Sequence, residues 1–325
     1  MDSEVDRPSR APFLRVGESL VLLGVLAGLV AVFGLLGRNF LSAATFHQIA
    51  NQVPALTVLS VGMCLVILTG GIDLSVGSVM ALSGAVLGLL MVGAKLPLLA
   101  ALPLAMLAGA ACGLANGWVS VRLRVPSFIA TLGMMQVARG LAYLATDSQT
   151  VYIGKAVAPL GSPLGGFGLS PAFLLAVLLV FVAQFLLLRS VPGRHLLALG
   201  ANEEAATFSG IRTAPIRIGA FVLAGALAGL AAAFDCSKLG AVDPNAGAGL
   251  ELSAIAAVVV GGTSLSGGRG SVVGSFLGVL IIATLGAGLN QIGAREPVKL
   301  LVTGLVIAAA AALDVWRGRR RCARM

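Results

Sequence analysis

Nothing constrains the fold of this chain more than its long, nearly uncharged apolar runs. Stretches at 19–36, 53–69, 77–92, 96–119, 127–145, 171–188, 217–234, 271–290 and 298–313 stand out in the sequence. Each approaches the roughly 17–25 residues that span a bilayer as a helix. Backbone N–H and C=O groups in hydrocarbon must pair internally, which leaves helices or closed barrels. The runs do not alternate as barrel strands do. The 43 glycines and the Ala308–Ala312 block let helices approach closely. The sequence therefore predicts an all-α polytopic membrane protein. Only 11% of residues are charged and 58% are hydrophobic, against about 25% charged in soluble domains. A soluble enzyme, a nucleic-acid-binding domain and a disordered protein are excluded.

The net charge of +9 is concentrated at the ends of the runs, five of its arginines being Arg317, Arg319, Arg320, Arg321 and Arg324. This is positive-inside anchoring, with no nucleic-acid partner expected. A shorter run at 252–262 decides the topology. If it crosses, about ten spans leave both termini cytoplasmic and most basic residues inside. If it does not, the arginine-rich tail faces outward. The reading adopted is a short crossing helix continued by a Gly-rich turn and enclosed by protein or water. The layout is then a cytoplasmic tail over 1–18, one transmembrane domain over 19–314 and a basic cytoplasmic tail over 315–325. A polar cytoplasmic loop spans 189–217. The first run is long for a signal-peptide core and reads as an uncleaved span.

Two Gly-rich turns form a weak internal repeat: GGIDLSVGSV over 70–79 beside GGTSLSGGRGSV over 261–272. Each follows an apolar run and precedes a Gly- and Ala-studded helix, as in transporters built from repeats. Gly70, Gly71, Asp73 and Ser75 order the first turn, and Gly261, Gly262, Ser266 and Gly267 the second.

The sequence holds no G-x-x-x-x-G-K-[ST], no H-E-x-x-H and no G-x-S-x-G. Its four cysteines show no C-x-x-C spacing and its two histidines are read as surface residues, so no metal site and no catalytic residues are expected. Charges are nearly absent from the apolar runs: Asp73 lies in a turn, Asp314 ends the last span and the other acids are read as lying in loops. Ion-coupled carriers usually need such groups, so the driving energy is expected from an ATPase on another chain.

Within the cytoplasmic loop, Asn202 caps a short helix that Gly210 ends, with Glu203 and Glu204 in the first turn where the helix dipole favours them. An ordinary polar linker is the other reading. Four stretches then carry a resemblance: 68–84 (LTGGIDLSVGSVMALSG), 125–151, 199–211 (LGANEEAATFSGI) and 243–281, followed by 304–314. In this order they resemble the permease subunit of bacterial ATP-binding-cassette importers of the ribose/xylose class, within the branched-chain permease superfamily. The resemblance implies an inner-membrane homodimer that works with a cytoplasmic ATPase and a periplasmic solute-binding protein. This chain then carries no cofactor; ATP and Mg sit on the ATPase. It also implies that Asn202, Glu203, Glu204, Ala205, Ala206, Ser209 and Gly210 dock on that ATPase. Glu203 stands where the commoner pattern has Pro.

A small-molecule sugar needs a wet path lined by neutral hydrogen-bonding groups. Asn51, Gln52, Asn116, Thr131, Gln136, Asn290 and Gln291 are the candidates, each of which could instead join helix to helix. Arg139, inside a span, needs a partner or a watery face. The same permease type could carry branched-chain amino acids, nucleosides or an autoinducer. A passive channel or ion-coupled carrier is the reading from another class.

Overall fold

A computed structural model describes residues 16–37, 39–295, 297–299, 301–306, 308–309 and 312. The arginine-rich tail and most of the N-terminal tail lie outside them. The chain is a helical membrane protein in which, among the described residues, seven helices are long and apolar enough to cross a bilayer, or eight with one bent pair. In chain order they are α1 (Val16–Leu36), the pair α2 (Ala43–Gln52) and α3 (Pro54–Leu68), α4 (Val76–Gly88), α5 (Leu98–Arg122) and α6 (Ser127–Ala145). A small turn, α7 (Ala158–Gly161), precedes α8 (Pro171–Arg189), α9 (Val191–Ala201) and α10 (Glu203–Phe208). Then come α11 (Thr213–Leu239), α12 (Leu250–Val260) and α13 (Val272–Gln291). A shorter apolar helix covers Pro297–Val306.

α2 and α3 meet at a 48° bend. Pro54, at the first position of α3, has no N–H to continue the α2 ladder, and its ring crowds the preceding turn. α12 has 11 residues, a rise of about 17 Å, which is roughly half the hydrocarbon thickness.

The core is built around α11, which packs on α3, α4 and α5. Along α5, Ala101, Ala105, Gly109, Gly113 and Gly117 recur every fourth residue, and all are buried. Their stripe meets Phe221, Gly225 and Gly229 of α11 so closely that a Cβ on Gly109 would strike the Gly225 carbonyl, and one on Gly225 the Gly109 carbonyl. Small residues at this spacing bring two backbones together, where packing contacts replace the missing hydrophobic drive in lipid.

Beyond α11 the chain turns back through a two-residue strand, β2 (Ala241–Val242). It pairs antiparallel with β1 (Val151–Tyr152), tying this turn to the 146–170 loop. The following loop is held from α6. Arg139 Nη1 donates to the carbonyls of Pro244 (2.6 Å) and Ala246 (2.9 Å), and the Tyr143 hydroxyl lies 2.6 Å from Asn245 Oδ1. The arginine inside a span thus finds its partners in loop carbonyls. Charge-assisted bonds of this kind contribute about 1.5–3 kcal/mol each. Arg139→Met is therefore expected to lower stability by about 2–3 kcal/mol, read as an earlier thermal unfolding midpoint in detergent.

Candidate functional site: a junction of two Gly-rich turns and a short polar helix

The first Gly-rich turn is held by two helices. Asp73 Oδ1 accepts from the Ser75 backbone N–H (2.9 Å) and hydroxyl (2.6 Å), and Asn116 of α5 donates to Ser75 Oγ at 2.9 Å. From α6, Ser127 Oγ accepts from Ile72 N (3.0 Å) and Thr131 Oγ1 from Leu74 N (3.1 Å). Asp73, Ser75, Asn116 and Thr131 are all buried, so the network is closed. Two of the candidate path residues, Asn116 and Thr131, therefore meet at this turn.

The second turn is fixed from α8. Gln184 Oε1 accepts from Ser271 Oγ (3.0 Å), Val272 N (2.8 Å) and Val273 N (3.2 Å), while Ser271 caps α13 through Gly274 N (3.1 Å). One amide thus satisfies donors at the start of α13 that would otherwise be orphaned. Sequence reasoning passed over Gln184. Its signal was a lone amide in an apolar helix.

The two turns touch each other and the end of α9. Gly268 N donates to the Leu68 carbonyl at 3.0 Å. A Cβ on Gly200 would strike Leu68 O and Gly268 N, and one on Gly267 would lie 2.8 Å from Gly70 N and 3.0 Å from Gly200 O. Gly70 and Gly267, at φ +77° and +84°, adopt left-handed backbone that disfavours a side chain.

α10 stands on this junction. Asn202 ends α9 and caps α10, its Oδ1 accepting from Ala205 N at 2.9 Å. Gly210, at φ +81°, stops the helix, with Ile211 N returning to Ala206 O at 3.1 Å. Ala206 faces inward and is buried, while Glu203, Glu204, Ala205, Ser209 and Gly210 are exposed. Glu203 forms an ion pair with Arg217 at 2.8 Å, and Arg217 also reaches the Thr69 carbonyl at 3.4 Å. One guanidinium thereby links α10 to the first Gly-rich turn. Phe208, on the outer side of α10, is 85% exposed. The sequence reading did not single it out.

The other candidates lie apart from this junction. Asn51 staples α2 to the 162–170 loop, donating to Gly168 O (2.8 Å) and accepting from Ser170 N (2.7 Å). Gln52 is exposed at the edge of a hollow beside it. Gln136 lies on an exposed part of α6, and Asn290 and Gln291 on exposed positions ending α13. The acids need one correction. α11 runs to Leu239, beyond the apolar run that ends at 234, so Asp235 is inside a spanning helix, and Glu251 sits in the first turn of α12.

A family described as the permease component of branched-chain amino acid transport systems matches residues 45–311. The chain belongs to this family. It is accordingly a multi-pass inner-membrane transport subunit and not an enzyme. The ribose import permease of Escherichia coli K12 is 39% identical over 305 residues, covering 91% of this chain and 92% of its own. That of Bacillus subtilis strain 168 is 42% identical over 294 residues, covering 88% and 89%. An autoinducer 2 import permease from Yersinia pseudotuberculosis is 36% identical over 307 residues, covering 94% and 86%. No solved structure matches the chain.

Proposed function

We propose that this permease is the membrane subunit of an ATP-driven sugar importer, passing a ribose-like monosaccharide inward by alternating access. The observation that carries the reading is similarity to ribose import permeases along about nine-tenths of both chains. It works as a homodimer with a cytoplasmic ATPase, which binds ATP and Mg, and with a periplasmic binding protein that delivers the sugar.

The topology in this reading has ten spans. The seven long helices, the bent α2–α3 pair, α12 and Pro297–Val306 supply them. Arg122, Arg124, Arg189, Arg194, Arg212 and Arg217 fall at the α10 end of their helices, whereas Lys95, Lys155 and Lys238 fall at the opposite end. The positive-inside bias supports a cytoplasmic α10 and, with ten spans, cytoplasmic termini. α10 is the docking element, and closure of the ATPase moves the junction of the two turns. Of the neutral candidates, the exposed Gln52, Gln136, Asn290 and Gln291 remain the proposed wet lining, whereas Asn116 and Thr131 brace the first Gly-rich turn and Asn51 staples α2 to the 162–170 loop.

Proteoliposomes containing this chain, its ATPase and its binding protein are expected to take up labelled D-ribose only with ATP. The chain alone is expected to give no flux; sugar flux through it alone would establish a channel or carrier instead. The autoinducer 2 relative supports a second reading. Uptake of that signal, with none of ribose or other monosaccharides, would favour it.

A further inference from the structure

One charged group in the spanning helices has no role in the mechanism proposed above. Asp235 lies in the final turns of α11, a helix that otherwise contains no acid. The rise from Arg217 to Asp235 is about 27 Å, so Asp235 sits at the membrane face opposite α10. Among the described residues its carboxylate joins no hydrogen bond or ion pair; the charged groups that act on it are Lys238 and Asp243. At that edge Asp235 is only partly buried.

Asp235 borders a small hollow whose walls come from distant parts of the chain. Gln52 sits at the bend between α2 and α3, Ser170 starts α8, and Phe234 and Lys238 flank Asp235 on α11. Asn51 also lines the hollow, but its amide is engaged by Gly168 and Ser170. Gln52 and Lys238 are exposed residues lining the same hollow as Asp235. The set therefore offers an anionic acceptor pair, two polar groups that can donate and a buried aromatic wall.

This chemistry suits a polyol. A carboxylate accepts from two neighbouring hydroxyls through its two oxygens, in short charge-assisted bonds. Gln52 and Lys238 can donate to the remaining oxygens, and Phe234 faces the C–H side of a ring. We propose that Asp235, with Gln52 and Lys238, is the contact site that receives two adjacent hydroxyls of a sugar entering opposite α10. The proposal rests on the sugar-import reading. The hollow is too small for a whole sugar and holds one edge of it, which leaves the other edge for the protein that delivers it.

The test is ATP-driven uptake of labelled D-ribose by the complete reconstituted importer, measured against the concentration of ribose-loaded binding protein. Asp235→Asn is expected to lower the maximal rate at least tenfold, with the half-saturating concentration of loaded binding protein unchanged. Gln52→Ala is expected to lower the rate three- to tenfold, and Asp235→Glu to retain more activity than Asp235→Asn. A wild-type importer that moves no D-ribose would sink the sugar reading itself. Wild-type uptake that Asp235→Asn keeps within twofold would overturn this site alone. So would a rise in the half-saturating concentration that accounts for the whole loss, since Asp235 would then dock the binding protein. If Asp235→Asn fails to accumulate, wild-type rates in both Gln52→Ala and Asp235→Glu overturn the proposal equally.

Discussion

A Phe208→Asp permease is expected to insert and fold normally but to lose its ATPase, with association weakened at least 100-fold in a pull-down from detergent. The ring is 85% exposed and sits on the outer side of a helix only six residues long. A large aromatic left in water on a polar loop contributes almost nothing to folding. Buried in a partner's groove, it gains about 2–3 kcal/mol from area alone, and aromatic anchors are typical hot spots. Replacing it with Asp removes that gain and forces an unpaired carboxylate into the same groove. Because the ring contacts little within the chain, the thermal midpoint of the isolated permease should not move. Phe208→Leu should keep most of the association. Wild-type recovery of the ATPase by Phe208→Asp would show that α10 docks through another face, one carrying the exposed Glu203, Glu204, Ala205 and Ser209.

Local chemistry was legible in the sequence where a single segment determines it. The run read at 127–145 forms α6 over Ser127–Ala145, and the short polar helix forms between its Asn202 cap and Gly210 as its residues require. Apolar counting did less well at the ends of helices. α11 continues past its apolar run because hydrogen-bonded helix can extend into the aqueous edge, and that extension carries Asp235 into the helix. α2 was missed for the opposite reason: AATFHQIANQ is too polar to register as a span until the bend at Pro54 joins it to α3. Contacts between distant segments left no local trace. The three bonds that Gln184 accepts and the approach of Gly268 to Leu68 arise only when four helices have packed. The repeat of Gly-rich turns hinted that the two halves correspond, but not that the turns touch.

That contact sets the other large effect. Gly200→Val is expected to abolish transport and to lower stability by more than about 4 kcal/mol, in the exceptional range for one substitution. The three atoms nearest the missing Cβ are all backbone: the Leu68 carbonyl oxygen, Gly268 N and Gly268 Cα. A flexible side chain could swing away, but these atoms belong to the ends of α3 and the 261–271 turn. Making room would also break the Gly268 N–H bond to Leu68. Overpacking alone costs typically about 1–3 kcal/mol; separating three backbone segments adds the lost hydrogen bond and its desolvated carbonyl. Gly219 is the control, because a Cβ there meets nothing within 4 Å, so Gly219→Ala should transport like the wild type. Gly210→Ala separates backbone strain from crowding: its space is open but its φ is +81°, so a loss of only about 1 kcal/mol is expected. The decisive comparison is Gly200→Ala, the smallest possible wedge, assayed for ATP hydrolysis and sugar uptake in the same proteoliposomes. A junction that transmits movement from α10 predicts hydrolysis that persists while uptake falls at least tenfold. Uptake and hydrolysis falling in parallel would reduce Gly200 to a packing residue and move the transmission path to the Glu203–Arg217–Thr69 link.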